Sequence, residues 1–149
     1  MATFYGTNNY SIDDKGRLIV PTSMRHVPGR KTPLKVFVLV GGLDGCLWLY
    51  ADEDWGHMEE RLRKLSMGTQ KQRQFARAFL VGASKVTVDS QGRITIPSSL
   101  MSRAGLGREA ILHGQVGRIE LWAPDRFEQS VGPVADDLDA LGEEVLGDL

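Results

Sequence analysis

The sequence predicts an α+β protein that is mainly β and consists of two tandem copies of one small unit. The segment 12–21 (IDDKGRLIVP) returns 76 residues later as 88–97 (VDSQGRITIP), with Asp, Gly, Arg and Pro at the same spacing. A second pair of similar segments, 45–50 and 117–122, lies 72 residues apart. A period of half the chain indicates a duplicated unit rather than a solenoid. Because units of roughly 70 residues are marginal alone, we expect the two copies to share one core.

Each copy begins with two short strands around a tight turn. Apolar residues on both sides of 13–16 predict the first pair, and alternating β-branched residues at 86–88 and 94–96 predict the second. Asp at the start of such a turn accepts backbone N–H bonds, and Gly at its end tolerates a left-handed conformation. We therefore expect one bulged hairpin in each copy. The residues that shape the hairpins are Asp13, Gly16, Asp89 and Gly92.

Each hairpin is followed by a short helix and by two further strands. Pro21 and Pro97 end the second strand of each hairpin, and the hydroxyl residues after them suit the start of a helix. The four later strands are apolar segments that match between the copies. They are predicted at 36–40, 47–50, 110–113 and 119–122.

Apolar residues at helical spacing predict the remaining helices. One follows the last strand of the first copy, at 55–65, and a shorter one opens at Pro124 after the second copy. A helix over 70–80 links the two copies. The tail repeats apolar residues at steps of three and four over 131–145, which predicts an acidic amphipathic helix weakened by its glycines.

These elements divide the chain into four parts. The parts are a first unit (1–66), a linking helix (67–82), a second unit (83–130) and an acidic C-terminal tail (131–149).

Composition indicates an ordinary soluble globular protein, with 42% hydrophobic and 25% charged residues. The longest apolar stretch, 36–43, is far too short to span a bilayer, and the N-terminus lacks the basic and apolar pattern of a signal peptide. The single cysteine, Cys46, excludes an internal disulfide and fits a reducing compartment. We therefore expect a cytoplasmic protein without a membrane partner.

Charge is distributed unevenly along the chain. Residues 1–127 carry 18 Lys and Arg against 12 Asp and Glu, whereas residues 128–149 carry seven acidic residues and no Lys or Arg. The segment from Arg61 to Lys85, with both end residues counted, contains seven basic residues and no acidic one. A basic body with an acidic tail fits a polyanionic partner, although a solvated basic helix face gives the same pattern.

The motifs of enzymes are missing from the sequence. The three histidines lie far apart without the spacing of metal ligands, and the sequence has no glycine-rich loop of the Walker or dinucleotide type. Ser98 and Ser99 lie near no obvious base and are explained by helix capping. We therefore predict a protein that is not an enzyme and has no cofactor, metal or small-molecule substrate.

The duplicated Asp-x-x-x-Arg pair is the most informative constellation, and it has two interpretations. In one, Asp13 and Arg17, like Asp89 and Arg93, form salt bridges across their own turns, which stabilise exposed structure by only about 0–1 kcal/mol. In the other, Asp holds the turn while Arg projects outward. A guanidinium can grip a phosphate, or the O6 and N7 edge of guanine, with two hydrogen bonds.

Both segments resemble the looped-hinge hairpin of the AbrB/SpoVT superfamily of bacterial DNA-binding proteins. Two copies in a chain of this length, with strands at 47–50 and 119–122, resemble the MraZ family of transcriptional regulators over residues 1–130. The resemblance implies a pseudo-two-fold swapped-hairpin β-barrel with peripheral helices, in which two halves of one chain mimic a dimer. It also implies ring-shaped homo-oligomers associated with the nucleoid. The resemblance further implies that such rings bind short direct repeats in double-stranded DNA upstream of division and cell-wall genes.

The function predicted from the residues and the resemblance is sequence-specific DNA binding in transcriptional regulation. Lys15 is cationic where its counterpart Gln91 is neutral, which predicts unequal roles for the two hairpins. The predicted DNA-binding residues, in order of strength, are Arg17, Arg93, Lys15, Arg25 and Lys85.

Two other functions stay open at this stage. The first is an antitoxin-like protein-binding module that uses the acidic amphipathic tail. The second is a structural oligomer without a nucleic-acid role.

Overall fold

The computed structural model describes residues 1–147 and contains eight strands and six helices within them. The strands are β1 (Thr7–Ser11), β2 (Arg17–Ile19), β3 (Val36–Gly41), β4 (Leu47–Ala51), β5 (Ser84–Thr87), β6 (Arg93–Thr95), β7 (Glu109–Gly114) and β8 (Ile119–Trp122). The helices are α1 (Thr22–Arg25), α2 (Asp52–Ser66), α3 (Gln70–Leu80), α4 (Ser98–Ala104), α5 (Pro124–Ala135) and α6 (Leu138–Leu146). The mixed α and β architecture with two similar units is as predicted.

The strands form a six-stranded antiparallel sheet, in the order β1-β7-β8-β4-β3-β5, and a separate two-stranded ribbon of β2 and β6. Exchanging each strand of the first copy for its counterpart in the second reproduces the same sheet order in reverse. The duplication in the sequence is therefore a two-fold relation in the strand order. Strands of one copy pair extensively with strands of the other, as in β1 with β7 and β3 with β5.

The predicted hairpins do not form as local two-stranded ladders. In the first copy, a single bridge between Ile12 and Leu18 joins the two sides of the turn, while β2 pairs with β6 of the second copy. The two turn glycines instead make hydrogen bonds between the copies. The carbonyl oxygen of Gly16 accepts the N–H of Ile96 at 2.9 Å, and that of Gly92 accepts the N–H of Val20 at 2.9 Å. Each turn is therefore bonded to the residue that follows the ribbon strand of the other copy.

The closed barrel implied by the resemblance is not seen in the strand pairing. Among the described residues, β1 and β5 each pair with one neighbour, so that the large sheet stays open at both edges. The ribbon contributes to the structure through its buried side chains instead. Leu18 and Ile94 face each other in the ribbon with 0% and 1% of their surface exposed.

Two apolar cores lie on opposite faces of the sheet. Alternation along β4 shows the division, because Leu47 and Leu49 belong to one core whereas Trp48 and Tyr50 belong to the other. The first core includes the ribbon together with α1 and α4, and it contains residues of both copies. The second core lies beneath α2 and α3. The predicted sharing of a core between the copies is confirmed.

The linking helix has the bounds that the sequence predicts, 70–80, because a capping box fixes its start. The Thr69 hydroxyl accepts the N–H of Gln72, and the Gln72 side chain accepts the N–H of Thr69.

The tail differs from the prediction of one helix over 131–145. α5 ends at Ala135 and α6 begins at Leu138, and within the described residues neither helix has a buried side chain. Asp136 and Asp137 separate them, and carboxylates at the negative end of a helix dipole disfavour its continuation. Residues 148–149 of the predicted tail lie outside the described residues.

Candidate nucleic-acid interface

The two turns of the repeated motif have the same hydrogen-bond geometry. Oδ1 of Asp13 accepts the backbone N–H groups of Lys15 at 3.0 Å and Arg17 at 2.8 Å. Oδ1 of Asp89 accepts those of Gln91 at 2.9 Å and Arg93 at 2.9 Å. Each aspartate therefore fixes the backbone of its turn, as the sequence predicts.

The glycine that closes each turn has a left-handed backbone. The φ angle is +76° at Gly16 and +80° at Gly92, a region that residues with a Cβ atom rarely adopt. A Cβ atom on Gly16 would lie 3.1 Å from the carbonyl oxygen of Ile96. The aspartate and the glycine of each turn thus fix the backbone of the turn.

The second oxygen of each aspartate binds the arginine of its own turn. Nε of Arg17 lies 2.6 Å from Oδ2 of Asp13, and Nε of Arg93 lies 3.0 Å from Oδ2 of Asp89. The two interpretations of the Asp-x-x-x-Arg pair are therefore compatible, because the arginine can form the salt bridge through Nε and still present its Nη atoms. Because Nε holds the carboxylate, the guanidinium is oriented, while its Nη atoms form no hydrogen bond with any residue in 1–147.

The two arginines lie on the same face of the ribbon. Arg17 pairs with Thr95 and Arg93 pairs with Ile19, and these four side chains alternate with the buried pair at the centre of the ribbon. The side chains of Arg17 and Arg93 are 32% and 24% exposed. Nη1 of Arg93 lies 4.0 Å from Oδ2 of Asp13, which brings the two turns into contact. The arginines of the duplicated motif are thus neighbours on one accessible surface.

Both turn aspartates have lowered pKa values. The backbone N–H of Arg17 is the largest cause of the lowered pKa of Asp13, with further contributions from the Arg17 side chain and the N–H of Lys15. The backbone N–H of Arg93 is likewise the largest cause of the lowered pKa of Asp89. Hydrogen bonds to a carboxylate favour its charged form, so both turns are built around an ionised aspartate.

Arg25, which belongs to the first copy, lies beside the turn of the second copy. Nε of Arg25 donates to the carbonyl oxygen of Val20 at 2.8 Å, and its Nη2 lies 3.1 Å from the position that a Cβ atom on Gly92 would take. The equivalent position beside the first turn is occupied by Met101, which lines a cavity with Asp13 and Gly16. Lys15 therefore adds a cation to the first turn, while Arg25 adds one beside the second.

Lys85 lies apart from this arrangement. It belongs to β5, an edge strand of the large sheet, and its Nζ lies 3.1 Å from Oδ1 of Asp52 at the start of α2. Four of the five predicted DNA-binding residues thus lie at the turns, and Lys85 lies at the sheet edge.

A family model described as "MraZ protein, putative antitoxin-like" matches residues 3–78 and again residues 79–140. The chain belongs to the MraZ family. This confirms the family suggested by the duplicated motif, and the two matched segments correspond to the two structural copies.

Similar proteins carry the name "Transcriptional regulator MraZ". The one from Lachnoclostridium phytofermentans is 39% identical over 143 residues, covering 93% of this chain and 97% of the relative. That from Moorella thermoacetica is 38% identical over 143 residues, with 96% of each chain covered. That from Alkaliphilus metalliredigens is 42% identical over 126 residues, with 85% of each chain covered.

Two further cations of this MraZ-family chain flank the turns and were missed from the sequence. The carbonyl oxygen of Arg108 accepts the N–H of Ile12 at 2.8 Å, and that of Lys35 accepts the N–H of Val88 at 2.8 Å. Both side chains are exposed. The signal for them lies in the duplication, because each is the residue just before the third strand of its copy.

Other side chains that could react or bind a metal ion do not form a site. Cys46 is 2% exposed, and burial raises the pKa of its thiol to about 12, which keeps it protonated. Across residues 1–147, no three His, Cys, Asp or Glu side chains come together in a group that could hold a metal ion. None of the helices in this part of the chain combines the length and apolar character needed to cross a membrane.

Proposed function

We propose that the chain is a sequence-specific DNA-binding transcriptional regulator and not an enzyme. The observation that carries the proposal is the position of Arg17 and Arg93, which lie on one accessible face, each oriented by its own aspartate. A permanently charged, planar donor that is held in place suits the reading of a base edge or a phosphate. The name shared by the similar proteins supports this proposal.

The two turns would contact DNA with similar charge despite their different sequences. Arg17 and Arg93 reach base edges or phosphates, Lys15 supports the first turn, and Arg25 supports the second. Lys85 is a weaker candidate, because Asp52 already pairs with its ammonium group. Asp13, Gly16, Asp89 and Gly92 keep the turns in shape without contacting DNA.

We further propose that the chain acts as a ring-shaped homo-oligomer on short direct repeats upstream of division and cell-wall genes. A single ribbon presents few contacts, whereas several linked ribbons on repeated sites gain affinity through effective concentration. The exchange of strands makes each chain the equivalent of a dimer of single-copy AbrB-like units. In this proposal the protein is cytoplasmic and associated with the nucleoid, and needs no cofactor. In the same proposal the chain is divided into two units, a linking helix and a tail.

Gel retardation with the DNA upstream of the chain's own gene tests this function. We expect binding at concentrations where DNA of shuffled sequence is not bound, and a steep loss of affinity when one repeat is deleted. Equal affinity for the upstream and the shuffled DNA would contradict sequence-specific regulation.

A second candidate function is antitoxin-like protein binding through the tail. The exposed apolar residues of α5 and α6 favour it, as does the description of the family. A pull-down with and without residues 130–149 tests it, because this function requires that the protein partner be lost while DNA binding survives.

A further inference from the structure

A groove of about 390 Å³ lies between α2, α3 and the face of the sheet that carries the second core. Trp48 and Tyr50 of the sheet line it together with Leu62 and Phe79 of the helices. Phe75, on its α3 side, is 43% exposed and stacks on Phe79 with ring centroids 5.6 Å apart. The groove is therefore an apolar surface that stays open to solvent.

The groove carries positive charge at its edge. Arg61 lines it. Arg118 also lines it, with its guanidinium 3.9 Å from the ring centroid of Trp48, but the charge of Arg118 is already paired with Glu120 at 3.3 Å. One acidic residue, Asp54, also lines the groove, and its carboxylate accepts the N–H of Ala2 at 2.9 Å. Beyond Arg61, the rest of α2 and all of α3 contain further Lys and Arg residues and no acidic residue. An apolar helix with acidic flanks complements this surface.

The C-terminal helix α6 has that character. Its apolar residues are unusually accessible: Leu138 is 65% exposed, Val145 57% and Leu141 38%. The chain has seven acidic residues after position 127 and no Lys or Arg there. Within the described part of the tail, none of these carboxylates is in an ion pair. The body of the same chain therefore neither buries the apolar row of α6 nor neutralises the acidic residues of the tail.

We propose that α6 of one copy of this chain binds in the α2–α3 groove of a second copy. None of the residues that line the groove comes from α5 or α6 of the same copy, so both surfaces are available together. Burial of the apolar row supplies the affinity, and the opposite charges fix the orientation and speed the encounter.

The contact joins two different surfaces and is therefore head-to-tail. Each copy presents one groove and one α6, so that association continues from copy to copy until a ring closes. The inference rests on the homo-oligomer part of the proposed function, and it assigns the residues that join the subunits. The ribbon proposed to contact DNA is formed by β2 and β6, which do not line the groove, so the subunit contact leaves the ribbon accessible.

Complementary variants of the full chain test the contact. Phe75→Glu places a carboxylate in the groove, and Leu138→Glu places one in the apolar row of α6. Both substitutions are at partly exposed positions, which spares the core. Val81→Glu is the matched control, since Val81 is 63% exposed and does not line the groove. Masses are measured by sedimentation velocity, after circular dichroism has shown native secondary structure.

We expect an oligomer for the unmodified chain and for Val81→Glu, and a monomer for each groove or tail variant alone. An equimolar mixture of Phe75→Glu and Leu138→Glu should give a heterodimer, because one intact groove and one intact tail remain. If Phe75→Glu does not fold, Arg61→Glu replaces it. A mixture that stays monomeric overturns the proposal, as do single variants that assemble like the unmodified chain. An unmodified chain that is monomeric also overturns it, whether its groove holds its own α6 or a different protein.

Failure of this contact and failure of the DNA-binding function can be told apart. DNA carrying a single repeat reports on the ribbon of one copy, whatever the mass of the assembly. Monomeric variants that still retard this DNA, with oligomeric unmodified protein, support both proposals. Assembly lost in the variants, with no DNA binding by any form, supports the contact and overturns the function.

Discussion

Arg17 and Arg93, which are 76 positions apart in the sequence, both approach the carboxylate of Asp13. Nε of Arg17 lies 2.6 Å and Nη1 of Arg93 lies 4.0 Å from the same Oδ2 atom. The shared carboxylate links the two copies at the outer face of the ribbon. It keeps two guanidiniums close despite their mutual repulsion, and it makes the geometry of each turn depend on the other.

Substitution of the turn glycines should destabilise the fold. Gly16→Ala and Gly92→Ala force a Cβ atom into a left-handed backbone, which costs roughly 1–2 kcal/mol per residue. At Gly16 the new atom would also approach the carbonyl oxygen of Ile96 to 3.1 Å. The free energy of unfolding in urea measures the effect.

Gly56→Ala is the control for the turn glycines. Gly56 lies in α2, where a Cβ atom meets nothing within 4 Å. Alanine there should stabilise the helix by about 0.5–1 kcal/mol. Equal stability of Gly16→Ala and the unmodified chain would show that the turn tolerates another backbone conformation.

Acid should remove the contribution of Asp13 and Asp89 to the stability of the fold. Since the pKa values of Asp13 and Asp89 are lowered in the folded state, their contribution to stability is fully present above the unfolded pKa of about 3.9. It is lost as the pH falls through the lowered folded values. Urea midpoints measured from neutral pH downward should therefore drop less steeply in Asp13→Asn and Asp89→Asn than in the unmodified chain.

Asp14→Asn provides the comparison for the acid dependence. Asp14 is exposed and accepts no hydrogen bond from residues 1–147, so this variant should follow the unmodified chain. An identical pH dependence for Asp13→Asn and the unmodified chain would rule out an ionised Asp13 as a support of the turn.

Lys15 and Arg25 should each account for about one phosphate contact. If so, Lys15→Gln and Arg25→Met should each reduce the slope of log affinity against log salt by about 0.9. These substitutions copy the residues at the equivalent positions of the other half, Gln91 and Met101. Fluorescence anisotropy of labelled upstream DNA at several salt concentrations gives the slope.

Lys85→Gln should change the salt slope less than either of them, because Asp52 already neutralises the ammonium group. Lys31→Gln, at an exposed position away from the turns, controls for net charge. An unchanged slope in both Lys15→Gln and Arg25→Met would remove these residues from the interface.

Much of the fold could be predicted because its signals are local. Helix α3 has the bounds that its apolar spacing predicts, and the turn residues act as their chemistry predicts. Strand partners are a different matter. Nothing near Gly16 in the sequence indicates that its carbonyl oxygen binds the N–H of Ile96, so the expected local hairpin was wrong.

The candidate site shows the same division. Arg17 and Arg93 were predicted from a motif that repeats in the sequence, and strand pairing places them together. The position of Arg25 beside Gly92 depends on the pairing of strands between the copies, which sequence proximity does not reveal. The contact of Arg108 with Ile12 is equally remote in sequence.

The most direct test of the account is the affinity of Arg17→Ala, Arg93→Ala and the double variant for the upstream repeats. Arg30→Ala serves as the control, because Arg30 is an exposed arginine paired with Glu53. We expect each turn variant to lose about 1–3 kcal/mol of binding free energy per engaged site. The double variant should bind no better than it binds shuffled DNA, with its fold and mass unchanged. Undiminished affinity of a folded double variant would contradict the role of the ribbon in DNA binding.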